Sequence, residues 1–150
     1  MSAWHSMLRA HASVVRRLEA ELIAEHGLSL PAYEVLAHLS QRPDRSLRMT
    51  ELSDAALLSP SGVTRLVDKL QRDGLVSRRR CAADARVIYC ELTDVGMSRL
   101  VAAYPTHLRG VREHMVDKLD RDDLRGVADS MNKLADATAC AEDVETEAAS

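Results

Sequence analysis

Residues 49–100 read MTELSDAALLSPSGVTRLVDKLQRDGLVSRRRCAADARVIYCELTDVGMSRL, and the order of start and stop signals in this stretch decides the fold. Thr50 is a good N-cap, because its hydroxyl oxygen can accept from an unpaired first-turn N–H, and it opens a compact helix over Glu51 to Leu58 containing Leu52, Ala55 and Ala56. Ser59 caps another helix at once. Pro60 fits the first turn, where its missing N–H has no intrahelical partner anyway, and Val63, Leu66, Val67 and Leu70 recur at helical spacing until Asp73-Gly74. Two helices joined so closely must turn sharply against each other. After Gly74 the period falls from 3.6 towards 2, through Leu75 to Arg80 and again through Val87 to Leu92, with Cys81 to Arg86 between. The pattern predicts a β-hairpin whose arm and tip are basic.

Helices flank this unit. Met7, Leu8, His11, Val14, Val15, Leu18, Leu22 and Ile23 form a helical stripe over about Ala3 to His26, which Gly27 can close in the left-handed conformation. A second helix, about Pro31 to Gln41, carries Tyr33, Val35, Leu36 and Leu39 and stops at Arg42-Pro43-Asp44. Leu47 to Met49 reads as a short extended piece. Downstream, Thr93 caps a long helix to roughly Leu119, with an expected bend at Pro105, and Asp120 to Asp123 opens a last helix at the end that favours acidic groups. The Ala-, Glu- and Thr-rich stretch from Ala141 is expected to be a flexible tail.

The length of 150 residues suits one domain, and 46% apolar residues can supply its core. Charged residues make up 29%, and no apolar run approaches the roughly 20 residues that cross a bilayer, so the sequence reads as a soluble, cytoplasmic protein without membrane contact. Cys81, Cys90 and Cys140 fit neither a disulfide framework nor a paired metal knuckle and are expected to be reduced. Charge is unevenly placed. Arg65 to Arg86 holds seven Lys and Arg against three Asp and Glu, a net of +4, whereas Glu113 to Ser150 holds four against eleven, a net of −7. A concentrated basic block in an acidic chain suits contact with a polyanion, and a solvated charged surface is the plain alternative. No Gly-x-Ser-x-Gly elbow, His-Glu-x-x-His helix, phosphate loop or Cys-x-x-Cys pair occurs, and a helical pair at ligand spacing such as His114 with Asp117 offers too few groups for a zinc site. Catalysis, a metal site and a cofactor are therefore not expected.

Helix, sharp turn, helix and basic two-stranded wing form the pattern of a winged helix-turn-helix. At this level the chain resembles the MarR family of transcription regulators. The resemblance rests on the Leu52-to-Leu70 helix pair, the Asp73-Gly74-Leu75-Val76 exit, Asp84-x-Arg86 in the wing and Leu92-Thr93-Asp94-x-Gly96. It implies a mainly α fold with a small β-wing, in which a winged-helix core over residues 30–92 is flanked by dimerisation helices over 3–27 and 94–140, with 141–150 as the tail. It also implies a homodimer on a palindromic stretch of double-stranded DNA. Broad apolar stripes on the first and last helices independently allow a dimer, though they could equally pack within one chain.

Once the inward residues of the Ser59–Asp73 helix are set aside, Ser61, Thr64, Arg65, Asp68, Lys69 and Arg72 face outward. The early part of a recognition helix meets bases, so Ser61, Thr64 and Arg65 are the base-edge candidates, Arg65 being able to grip a guanine with two hydrogen bonds. Ser59, Lys69 and Thr50 are candidates for phosphate. In the wing, Arg86 matches the family's minor-groove arginine and Asp84 the aspartate that braces it. Arg78 and Arg80 share one strand face and Arg79 the other, so one of the three is expected in a structural ion pair and Arg78 and Arg80 among the DNA contacts. Family resemblance further implies a small-molecule effector that releases a repressor from its operator, bound where the dimer helices meet the winged domain. Trp4, His11, Tyr33, His38 and Tyr104 could line such a crevice, although each also suits plain packing. Cys81, beside three arginines, is a candidate redox sensor, and a protein-interaction module without DNA binding is the other alternative.

Overall fold

Caps and turns place the elements. Ser29 accepts from the Ala32 N–H at 3.3 Å and Ser59 from the Gly62 N–H at 3.1 Å, so each serine satisfies a first-turn donor ahead of a proline. The computed structural model describes residues 2–148, and side chains through residue 136, so Cys140 lies outside the described side chains. It divides into two compact units, one ending at Val111 and one beginning at Arg112. Among the described residues the elements are α1 (Ala3–His26), α2 (Leu30–Ser40), β1 (Ser46–Arg48), α3 (Met49–Ala55), α4 (Pro60–Arg72), β2 (Val76–Arg80), β3 (Ile88–Leu92), α5 (Asp94–His114) and α6 (Arg121–Ala148). No helix among them is long and apolar enough to cross a membrane.

Several boundaries differ from expectation for local reasons. The first helix of the pair begins earlier: Arg48, not Thr50, occupies the cap position, and its N–H donates to the Glu51 carboxylate at 2.9 Å. That helix also ends earlier, because Leu57 takes the left-handed conformation at φ 52°. The buried Ser53 hydroxyl donates to the Leu58 carbonyl at 2.6 Å and fixes the sharp turn into α4. Downstream, α5 stops at His114 instead of continuing to Leu119, and a short 3-10 turn over Val116–Lys118 follows. Asp120 then accepts from the N–H groups of Asp122 and Asp123 at 2.9 and 2.8 Å and starts α6, which runs on through the stretch expected to be a tail.

The sheet has three strands, not two. Its order is β1-β3-β2, all antiparallel, with Leu47 opposite Cys90 and Arg78 opposite Cys90 on the other side. The piece read as merely extended, Leu47 to Met49, overlaps the strand Ser46–Arg48 that pairs the second edge of β3, whose backbone groups would otherwise lack partners, while Met49 already begins α3. Leu47 and Cys90 turn inward to join Leu22, Leu36, Leu39, Leu52, Val67 and Leu70 in one core. Tyr33 belongs to this core and stacks on His107 of α5, ring centres 4.4 Å apart.

One joint ties the wing to the helices. The Thr93 hydroxyl shares its proton between the carbonyls of Gly74 and Leu75, at 2.8 and 3.0 Å, and accepts from the Gly96 N–H at 3.0 Å. Gly96 consequently lies against the backbone of Leu75, where a Cβ would stand 2.0 Å from the Leu75 oxygen. No rotamer relieves a backbone clash, so Gly96→Ala is expected to lower unfolding stability in urea by about 3 kcal/mol or more. Gly126→Ala is the control: a Cβ there meets nothing within 4 Å, and the substitution should stabilise α6 slightly. Equal stability of the two variants would contradict the joint.

Burial holds the His107 imidazole below its ordinary pKa, and its Nδ1 has no hydrogen-bond partner. The unfolded chain therefore takes up this proton first as pH falls. Stability from keeping His107 neutral is complete above the unfolded value near 6.5 and declines as pH drops below it. A melting series from about pH 7.5 downward should show this decline blunted in His107→Leu; an unchanged pH profile would contradict it.

Candidate nucleic-acid interface

Helical spacing sets what α4 presents. Ser61, Arg65 and Arg72 fall on one exposed line, with Thr64 and Asp68 on the flank towards the wing. The Thr64 hydroxyl donates to the Pro60 carbonyl at 2.8 Å, which leaves its oxygen lone pairs and methyl group for an outside partner. Ser61 lies 3.3 Å from the Ser59 hydroxyl, oxygen to oxygen. Arg65 is exposed on this surface.

Between α4 and the wing lies a cleft of about 450 Å³ lined by Arg48, Met49, Thr50, Thr64, Asp68, Arg78, Arg86, Val87 and Ile88. Four of the residues singled out from sequence, Thr50, Thr64, Arg78 and Arg86, therefore share one concavity. Arg86 projects from the wing with its side chain 92% exposed, yet it is oriented: Asp84 accepts from both its backbone N–H, at 3.0 Å, and its Nε, at 3.3 Å. The aspartate thus holds the arginine outward without covering it.

Arg78 has a different role from the one expected. Its guanidinium donates to Asp68 at 2.5 Å, to the Gln71 side chain at 3.1 Å and to the Thr64 carbonyl at 3.2 Å, so its contacts are internal and bracket β2 to α4. Arg79 is also engaged, pairing with Glu91 at 2.5 Å and lying over the Tyr89 ring at 4.9 Å. Two of the three wing arginines are structural, where one was expected; Arg80 is exposed and has no partner among the described residues. Lys69 stands on the far flank of α4, lining a separate cavity of about 260 Å³ with Asp73 and Arg99. The sequence reading passes over Arg48, whose place in the cleft depends on a strand register that no local pattern reports.

The residues considered for an effector do not gather in one crevice. Tyr33 is in the core, Tyr104 is 53% exposed on α5 and Trp4 is 58% exposed near the start of α1. His38 lines a cavity of about 310 Å³ with Arg42 and Glu51. Burial raises the Glu34 carboxyl above its ordinary pKa, opposed by the charges of His38 and His11.

Helix pair, bracketed wing and outward arginine define a winged helix-turn-helix protein. A model of the MarR family matches residues 26–87. The chain is 35% identical over 99 residues to the HTH-type transcriptional repressor YetL of Bacillus subtilis (strain 168), a match covering 66% of this chain and 59% of that repressor's length. In three dimensions it is similar to Sco3205, a MarR family transcriptional regulator from Streptomyces coelicolor crystallised in complex with DNA. That similarity has a TM-score of 0.85 and 30% identity, and covers 89% of this chain and 84% of that one. AbsC, another MarR family transcriptional regulator from Streptomyces coelicolor, matches with a TM-score of 0.84 and 28% identity over 91% of each chain. The chain belongs to the MarR family.

The thiols of Cys81 and Cys90 differ sharply. Cys81, half-buried at the base of the wing tip, is held below its ordinary pKa by the N–H groups of Ala83 and Asp84, assisted by Arg48. Burial pushes Cys90 up to about 12. In a Cys140→Ser background, iodoacetamide at neutral pH should alkylate Cys81 in the folded protein and Cys90 only after unfolding, as read by peptide mass spectrometry. Equal rates at both sites would contradict this difference.

Proposed function

We propose that two copies of this chain bind a pseudo-palindromic DNA duplex as a cytoplasmic transcription regulator, a repressor that a small-molecule effector releases. The observation that carries this reading is the shared cleft of Thr64 and Arg86, with Ser61 and Arg65 exposed along the adjoining line of α4. A helix in the major groove would present Ser61, Thr64 and Arg65 to base edges while Arg86 enters the neighbouring minor groove, where the narrow walls strengthen the attraction for a guanidinium. Ser59, Lys69, Arg80 and Thr50 would add phosphate contacts, which fix register without reading sequence. The repressor named among its relatives and the DNA-bound family member support the assignment.

Dimerisation has its own support. Trp4, Leu8 and Ile23 on α1 and Val101, Tyr104 and Leu108 on α5 are exposed, as are Val127, Met131 and Leu134 on α6, more apolar surface than scattered single residues would give. A two-fold dimer would set two α4 helices about one turn of DNA apart, roughly 34–36 Å. An effector bound where the dimer helices meet the winged domain would then release DNA by changing that separation.

The test is duplex binding by fluorescence anisotropy, using a sequence enriched from a randomised library by the full-length protein. Affinity should fall steeply with salt, and Arg65→Ala with Arg86→Ala should weaken binding by roughly 30-fold or more while circular dichroism stays native. A flat salt response, or a double variant that binds like the parent, would overturn the proposal.

A further inference from the structure

Five arginines crowd the sheet and the cleft beside it, and their counter-ions separate Arg78, Arg79 and Arg86 from Arg48 and Arg80. Arg78 is neutralised by Asp68, Arg79 by Glu91, and Arg86 is braced by Asp84. Arg48 has no carboxylate within ion-pair distance of its guanidinium among the described residues; the nearby Glu51 accepts from its backbone N–H. Yet this side chain is oriented. Register places Arg48 opposite Tyr89 and Tyr89 opposite Arg79, so the three lie in one row across the sheet. The Arg48 Nε donates to the Tyr89 hydroxyl at 3.4 Å, and its guanidinium carbon lies 6.0 Å from the ring centre. Arg79 covers the same ring at 4.9 Å and is itself fixed by Glu91, so the tyrosine is a supported platform.

Arg48 is exposed and lines the cleft between α4 and the wing together with Arg86 and Thr64. An oriented, exposed guanidinium without a carboxylate partner, across a cleft from another outward arginine, is suited to a doubly liganded anion such as a backbone phosphate. Inside the cleft, Asp68 is already matched by Arg78, so it adds no uncompensated repulsion.

We propose that Arg48, positioned by Tyr89, is a phosphate-binding residue of the duplex interface, so that the sugar-phosphate backbone between the major-groove helix and the wing is gripped by Arg48 from β1 and by Arg86 from the wing. Tyr89 is a positioning residue that need not touch DNA. The inference rests on the duplex-binding reading above and adds a contact to it.

Its test uses the full-length protein, the library-enriched duplex and anisotropy from about 50 to about 200 mM KCl. Arg48→Gln should weaken binding roughly five- to tenfold at the lowest salt, and the slope of log affinity against log salt should become shallower by about 0.9 for each protomer bound, as for one lost phosphate contact. Arg48→Lys should keep the parent slope, because the charge remains, while losing about two- to threefold in affinity with the stacking geometry. Tyr89→Leu should likewise keep the slope and lower affinity. Parent-like affinity and slope in Arg48→Gln would overturn the inference while leaving the duplex reading intact. Equal loss in Arg48→Lys and Arg48→Gln would also overturn it, since charge would then be irrelevant. Failure of the parent protein to bind any duplex would overturn both.

Discussion

The working surface depends on one backbone contact, that of Gly96 against the carbonyl of Leu75, closed by the Thr93 hydroxyl. This joint fastens the start of the long helix to the entry of β2, immediately after α4 ends. Leu75, Val76 and Leu92 are buried around it, so water does not compete for these hydrogen bonds. From that joint the hairpin leaves in a set direction, and the Arg78 bracket to Asp68, Gln71 and Thr64 fixes the direction a second time. An exposed ion pair alone would contribute little, but this guanidinium is largely covered and makes three hydrogen bonds to one helix.

Charge acquires meaning only once partners are assigned. The net +4 between Arg65 and Arg86 is not a uniform basic patch. Arg78 and Arg79 hold the wing in shape, whereas Arg65, Arg80 and Arg86 extend outward, and Arg86 alone is steered by its own aspartate. The internal pairs give the wing its rigidity and the outward arginines its reach. Rigidity matters for recognition because a pre-set geometry loses less conformational freedom when a partner is bound.

Much of this was legible in the sequence because it is written in neighbouring residues. Ser59-Pro60 and Ser29-Leu30-Pro31 announce helix starts, Gly27 and Gly74 take positive φ at helix ends, and the change of period after Gly74 marks the hairpin. What was not legible involves partners distant in the chain. Leu47 becomes a strand residue only because Cys90 offers it an edge, and Thr50 loses the cap position because β1 runs directly into α3. Strand alternation puts Arg78 on one face with Arg80, but does not report the presence of Asp68 and Gln71 across from it. The row of Arg48, Tyr89 and Arg79 requires the register of three strands, two of them far apart in sequence. The aromatic and histidine residues grouped as one crevice are scattered, Tyr33 buried but Trp4 and Tyr104 exposed, because a helical stripe does not say which of its residues a neighbouring element covers.

α4 and the wing, joined at Gly96 and through Arg78, form one rigid unit. The most direct measurement is a hydroxyl-radical and guanine-methylation footprint of the protein on its selected duplex. A rigid unit should give guanine protection in a major-groove segment with minor-groove protection displaced by about half a turn, roughly five base pairs, repeated symmetrically one turn away. Minor-groove protection that is missing, or that wanders in register relative to the major-groove segment from one duplex to another, would contradict it.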